Sequence, residues 1–454
     1  MRKPSQLFIT LIVLLLIAFG MIVTTPRVAA ERADLKFSPQ LSAELAEVAP
    51  GQMVTVIVTL KDQADLRQIA SPGSTRSQEG LVRALQAQAQ ASQRQIIAFL
   101  SQHTAQEDGK VGTVIPFWVF NGLSVTATAE VINELAARSD VRSITSDKIE
   151  LAPLSGPESA PADAQAEGNL TQINAPAVWN LGYTGQGVVV ASMDSGVDVN
   201  HPDLSGRWRG GTNSWFDPYY QHPAAPVDLT GHGTWTMGIM VGGDAGGSSI
   251  GVAPGAQWIA VKIFNDAGTA QATAIHLGFQ WLLDPDGNPA TADAPQIVNN
   301  SWSLGGPGCD LSFQLDLQAL LAAGITPVFA AGNYGSSSNT STSPANNPEA
   351  FAVGAINNRD RIYSYSSRGP SACGEAQTVF PELVAPGVNV KTSDLYGMYY
   401  STTGTSLSAP AASGALALLL SAYPNLSVGR LEASLTTSAL DLGSAGPDNT
   451  FGYG

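Results

Sequence analysis

The chain has 454 residues, 13% of them charged and 44% hydrophobic, with 46 glycines and a net charge of −15. That is length enough for two or three domains with an ample core, and the composition is that of a compact, loop-rich, acidic protein. An acidic surface repels phosphate backbones and no run of Lys or Arg offsets it, which argues against nucleic acid as a partner.

Residues 1–30 read as an export signal. Arg2 and Lys3 precede an apolar run over residues 7–23, and Val28-Ala29-Ala30 supplies a small-residue exit with cleavage expected after Ala30. The run is long for a signal peptide, so the alternative is a membrane anchor at residues 7–23 with the rest of the chain facing outside. Either way the protein acts outside the cytoplasm.

Residues 31–151 form a separate unit. The β-branched run Met53–Leu60, a helix-favouring stretch at 78–102, VFNGLSVTAT, the helical AEVINELAAR and a final strand-like VRSITSDKIEL give the order β, α, β, α, β. That order predicts a small sheet with helices on one face, an α+β sandwich. Residues 152–169, APLSGPESAPADAQAEGN, have little to bury and read as a linker.

From residue 170 to 454 apolar strand candidates alternate with helical stretches: GVVVASMD, QWIAVKIF, IHLGFQWLL, QIVNNSWS, LDLQALLAAG, ITPVFAAGN and FAVGAI. Such alternation predicts an α/β domain of three layers, a largely parallel sheet with helices on both faces. Functional groups in such sheets gather just past the carboxyl ends of strands. Asp194 and Asn333 fall there, while His232 and Ser406 each stand where a helix begins.

Three stretches carry the chemistry: ASMDSGVDVNHPDL around Asp194, GHGTWTMG around His232 and TGTSLSAP around Ser406. A serine hydroxyl is a poor nucleophile at neutral pH, so it needs an imidazole to take its proton and a carboxylate to orient that imidazole. Read singly, Asp194 could cap a helix and His232 could be structural; together, in the chain order Asp, His, Ser, they form a catalytic set. These strings resemble the subtilisin-like (subtilase) serine peptidases, closest to the bacillopeptidase F-like branch.

The resemblance implies a serine endopeptidase acting on polypeptides, in which Asn333 of FAAGNYG donates its amide to the oxyanion. It aligns Gly268, Thr269 and Ala270 with one substrate-binding edge and Ser301, Trp302 and Ser303 with the other. Tyr334 stands where some relatives place a Glu at the primary pocket rim, which implies apolar or neutral residues before the cut. Residues 31–151 resemble the inhibitor-type, ferredoxin-like propeptide that acts as intramolecular chaperone and inhibitor. Self-cleavage is then expected between Leu151 and Gly168, in the linker. The unrelated interaction domain stays open as an alternative for this unit.

Around the nucleophile Leu407, Ser408 and Ala411 depart from the family pattern, which bears on packing. Asp203 of HPDL matches a calcium-ligand position, although the loop GGDAGGSSIG departs from the usual form; no cofactor is required for the chemistry, and the absence of HExxH, CxxC or clustered His disfavours zinc. Cys309 and Cys373, in a chain bound for an oxidising compartment, are expected to pair. The run Gly247 to Gly251 fits a G-x-S-x-G elbow but lacks the leading strand and following helix. The protein is expected to be a monomer. The chain stops at PDNTFGYG, where the resemblance implies a further helix; a truncated catalytic domain is expected there, and it keeps open the alternative of an inactive, subtilase-shaped binding protein.

Overall fold

The computed structural model describes residues 36–66, 78–104, 106–153, 156–157, 167–374 and 378–454. The expected export signal at 1–30, its membrane-anchor alternative at 7–23 and linker residues 154–155 and 158–166 lie outside them.

The N-terminal unit contains α1 (Pro39–Glu47), β1 (Met53–Leu60), α2 (Gln78–Ser101), β2 (Val111–Phe117), β3 (Gly122–Thr128), α3 (Ala129–Ala137) and β4 (Val141–Ser146). Its sheet has the order β2-β3-β1-β4 with every pairing antiparallel. The period of two along a strand decides which residues meet the helices. Val54, Val56, Val58 and Leu60 of β1 join Ile96, Leu100, Ile132 and Leu135 of α2 and α3 in one core, whereas Ile57 points the other way. Two elements escaped the pattern. Helix α1 is a short one whose N-cap, Ser38, accepts from the Leu41 N–H at 3.2 Å. Strand β2 is an edge strand that contains Pro116 and buries only its end residues Val111 and Phe117, so no alternation announces it.

The second unit begins with two short helices, α4 (Gly168–Gln172) and α5 (Ala175–Asn180), and is built on a seven-stranded sheet. In chain order its strands are β7 (Val189–Asp194), β8 (Trp215–Phe216), β9 (Gln257–Lys262), β10 (Ile297–Asn300), β12 (Thr326–Ala330), β13 (Phe351–Ile356) and β14 (Leu383–Pro386). They lie in the order β14-β13-β12-β10-β7-β9-β8, all parallel. Strands buried on both faces need no alternation, and every residue of β10, β12, β13 and β14 is buried. Helices α6 (His232–Val241) and α9 (Thr405–Ala422) share one core with residues of one sheet face. Helices α7 (Ala272–Leu283) and α8 (Gln314–Ala322) cover the other face, making three layers. Helix α9, apolar on all sides, has 14 buried residues from Thr405 to Leu420 because it runs through the core. The chain then forms α10 (Val428–Ser438).

The N-terminal sheet docks on α7 and α8. Ile57, Phe117 and Phe120 join the core that holds Ile275, Phe279 and Phe313. Gln280 Oε1 accepts the Trp118 and Val119 N–H groups at 2.6 and 3.2 Å. Asp147 caps α7 from the other unit: its carbonyl accepts the Ala272 N–H and its Oδ1 the Thr273 N–H at 2.7 Å.

Candidate active site

Asp194 is the last residue of β7 and His232 the first of α6. Both are buried, and His232 Nδ1 meets Asp194 Oδ1 at 2.7 Å. Two glycines make this approach possible. Gly231 has φ 90°, and a Cβ on Gly233 would lie 2.0 Å from the Gly196 carbonyl oxygen, so a side chain there would push α6 off the loop that follows Asp194. Burial by itself lowers the His232 pKa, but the Asp194 charge and hydrogen bond, aided by Asp228, outweigh it and raise the imidazole above its ordinary value. Asp194 Oδ1 also accepts the Ser195 N–H at 2.7 Å. His232 Nε2 is buried with no hydrogen-bond partner.

Ser406 is the second residue of α9 and fully buried. Its Oγ donates to the Ser301 carbonyl at 3.4 Å, and Ser301 Oγ donates to the Ser406 carbonyl at 3.0 Å. The second bond follows from Pro410. Lacking an N–H, Pro410 leaves the carbonyl four residues earlier without its helical donor, and Ser301 supplies one. Ser301 thus serves Ser406 from just past β10, the strand beside β7. Asn333 lies three residues past β12; its Oδ1 accepts the Thr405 N–H at 3.1 Å and the Thr405 Oγ at 3.0 Å, which fixes the opposite, Nδ2 end of the amide as the donor. Asp194, Ser301 and Asn333 therefore line up at the carboxyl ends of adjacent parallel strands, and α6 and α9 bring His232 and Ser406 to the same edge.

Two groups of this site had no motif of their own. Asp228 accepts through Oδ1 from Ser195 Oγ, the Thr230 N–H and the Gly231 N–H, each at 3.0 Å, and through Oδ2 from the Thr234 N–H and Oγ at 2.9 and 2.8 Å. It holds the turn into His232 and couples it to the loop after Asp194. Its signal was an Asp four residues before a His, with Thr and Gly between. Trp235 packs edge-on to the His232 ring with centroids 5.7 Å apart, donates Nε1 to Asp394 Oδ1 at 2.8 Å and stacks at a tilt on Tyr400.

Two short strands of the chain itself pair beside this edge. Strand β5 (Leu151–Pro153) pairs antiparallel with β11 (Trp302–Leu304), with Ala152 opposite Ser303, and the Gly305 N–H donates to the Glu150 carbonyl. Strand β6 (Gly156–Pro157) pairs antiparallel with β16 (Tyr399–Thr403), which also pairs with β15 (Val390–Ser393) and leads straight into α9. On the other side Lys148 bridges Gln271. Gly268, Thr269 and Ala270 do not take part in that pairing: they belong to a turn closed by Asn265, whose Oδ1 accepts the Thr269 N–H, and the contact falls at Gln271 instead. Of the other expected edge, Trp302 offers only its backbone; its ring is buried against Phe313 and Phe329. Tyr334 donates its hydroxyl to the Gly305 carbonyl at 2.7 Å and ties the Asn333 loop to the end of β11.

Both carboxylate oxygens of Asp203 are engaged within the chain. Its Oδ1 accepts the Ala245 N–H and its Oδ2 the Tyr399 hydroxyl, both at 2.7 Å, while Arg207 donates to its carbonyl. His201 accepts the Asp203 N–H at Nδ1, a structural role. Cys309 and Cys373 form a disulfide. Residues 247–251 form a loop, in which the Ser249 carbonyl accepts the Glu167 N–H. Leu407, Ser408 and Ala411 are buried in the core of α9.

The sequence profile of the Subtilase family, peptidase S8, matches residues 185–454. Bacillopeptidase F of Bacillus subtilis is 34% identical over 95% of this chain, and this chain spans only 33% of that relative's length. Subtilisin E of Bacillus subtilis is 31% identical over 88% of this chain and 94% of its own length, and subtilisin Savinase of Lederbergia lenta is 31% identical over 63% and 94%.

Proposed function

The chain belongs to the subtilase family of serine-type endopeptidases, and from that premise we propose that it is an exported peptidase made as a self-processing zymogen. In this reading neutral His232 takes the Ser406 proton at Nε2 as Oγ attacks a peptide carbonyl. Asp194 holds the ring through Nδ1 and stabilises the imidazolium. The Asn333 amide and the Ser406 N–H, at the N-terminus of α9, donate to the oxyanion. His232 then protonates the leaving amine, and water repeats the cycle on the acyl-enzyme. The disulfide agrees with export to an oxidising compartment.

One observation carries the zymogen reading. Leu151–Pro153 and Gly156–Pro157 add strands to β11, which follows Ser301, and to β16, which leads to Ser406, as a bound substrate would. The N-terminal unit is then both inhibitor and first substrate, and the scissile bond is one of those between Pro153 and Gly156. Backbone pairing reads no side chains, so polypeptides of varied sequence are the expected substrates; Tyr334 in place of a carboxylate favours apolar or neutral residues before the cut.

The test is intact mass and casein hydrolysis on the purified protein beside Ser406→Ala. The expected wild type has lost its N-terminal unit, starts at residue 154, 155 or 156 and cuts casein, while the variant stays joined and inert. A variant cleaved at the same bond, or a wild type that remains whole and inactive in a folded state, overturns the reading.

A further inference from the structure

The loop that leaves α7 and returns to β10 lies at the amino ends of the strands, the end of the sheet opposite the triad. It reads Asp284-Pro-Asp286-Gly-Asn288 and continues to Asp293. One carboxylate oxygen from each of Asp284, Asp286 and Asp293 lies within 4.8 Å of the others. Asp284 and Asp293 are only 7% and 8% exposed, and each buries its Oδ1 with no hydrogen-bond partner. A carboxylate oxygen taken out of water and given no donor is costly, and here two such carboxylates belong to one cluster.

Two other oxygens of the cluster have donors within the chain. Asp293 Oδ2 accepts Asn213 Nδ2 at 2.8 Å, and Asp286 Oδ1 accepts the Asn288 N–H at 2.8 Å in a turn that Gly287 permits at φ 74°. The facing cations are Arg209, which donates to the Asp293 carbonyl, and Arg83 of α2, an exposed side chain that water screens from Asp284. Neither arginine donates to the two unpartnered oxygens. Burial and mutual repulsion push the Asp284 carboxyl up, and burial does the same at Asp293; a cation would reverse both.

We propose that this loop binds a calcium ion through Asp284, Asp286 and Asp293. The donors are all hard oxygens, which suits calcium or magnesium and not the softer transition metals. Two ligand oxygens of one calcium ion, at about 2.4 Å each, can lie up to about 4.8 Å apart, and no pair of these three is farther apart than that. The site joins the end of α7 to the start of β10, next to the Leu283 carbonyl that Gln78 of α2 engages at 2.9 Å. It is independent of the peptidase reading.

The test uses the full chain with Ser406→Ala, which prevents self-digestion, stripped of metal and titrated with calcium by calorimetry. Asp284→Asn with Asp293→Asn is expected to bind one calcium fewer per chain and to melt in EGTA no lower than its parent, since a repelling pair is gone. Asp286→Asn, an exposed change that spares the fold, is expected to raise the dissociation constant by about tenfold or more. The proposal is overturned if parent and double variant bind the same number of ions, if the parent binds none, or if Asp286→Asn leaves the affinity unchanged.

Discussion

Asp228→Asn separates the electrostatics of His232 from its geometry. Asp228 Oδ1 takes four donors and Oδ2 two, so the least costly placement of the new amide keeps oxygen at the Oδ1 position and puts nitrogen where Oδ2 was. There it faces the Thr234 N–H, a buried donor that loses its acceptor, while the Thr234 hydroxyl rotates to accept. One orphaned buried donor costs about 1 to 3 kcal/mol, a sizeable part of the roughly 5 to 15 kcal/mol that holds a domain. At about 2 to 4 °C per kcal/mol for a domain of this size, the melting temperature should fall by about 2 to 12 °C, measured in the Ser406→Ala background. The same change removes one of the charges that raise the His232 pKa. The proton-accepting, neutral imidazole then persists to lower pH, so the acid limb of kcat/KM in the active enzyme should move down. A folded variant with an unmoved limb, or one displaced upward, would refute the assignment of Asp228 to the histidine's field. A limb that moves with no loss of stability would refute the orphaned donor.

Asn333→Ala should lower kcat by about 10² to 10³, the cost of losing such a donor in subtilisin, with little change in KM; a loss confined to KM would mean that Asn333 binds substrate and not the oxyanion. Replacing Cys309 and Cys373 by Ser opens a bridge with a sequence separation of 64, and the chain-entropy estimate gives a loss of about 4 kcal/mol, to be read as a lower midpoint in urea with proteolysis blocked. Glu382 is pushed from 4.5 up to about 8, chiefly by burial, with Glu432, itself raised to about 7, adding repulsion. A carboxyl raised in the folded state contributes stability that is full below its unfolded value and disappears as pH rises through the folded one. The melting temperature should therefore decline between about pH 5 and 8, and Glu382→Gln, whose carbonyl still accepts the Ala352 N–H, should flatten that decline; parallel curves for the two proteins would remove Glu382 from the account.

How much of this molecule could be read from its sequence depends on whether chemistry or packing chose the residue. Asp194, His232, Ser406 and Asn333 stand in strings whose small neighbours are required for the side chains to meet, as Gly233 shows by its contact with the Gly196 carbonyl. The parallel sheet was legible because strands buried on both faces are near-continuous apolar runs. Trp302 was not: within SWS its ring and its backbone serve different purposes, and only the register of β11 tells core from cleft. Strands β5 and β6 have no pattern at all, since LAP and GP become strands only when another part of the chain offers an edge. Residues 284 to 293 gave no sequence signal for a site, because nothing in the string reveals which oxygens end up buried without a donor.

The link between Pro410 and Ser301 marks the boundary most clearly. A proline inside a helix reads as a break, and a serine after NN reads as a polar residue at the end of a strand. In the folded chain these are one device: the proline strips the Ser406 carbonyl of its helical partner, and the serine hydroxyl, arriving from β10, replaces it at 3.0 Å. The Ser406 backbone is thereby tied to the sheet strand next to the one that carries Asp194. Asp194 and Ser406 are thus held to adjacent strands, and α6, pinned by Asp228 at its first turn, has only to present His232 between them.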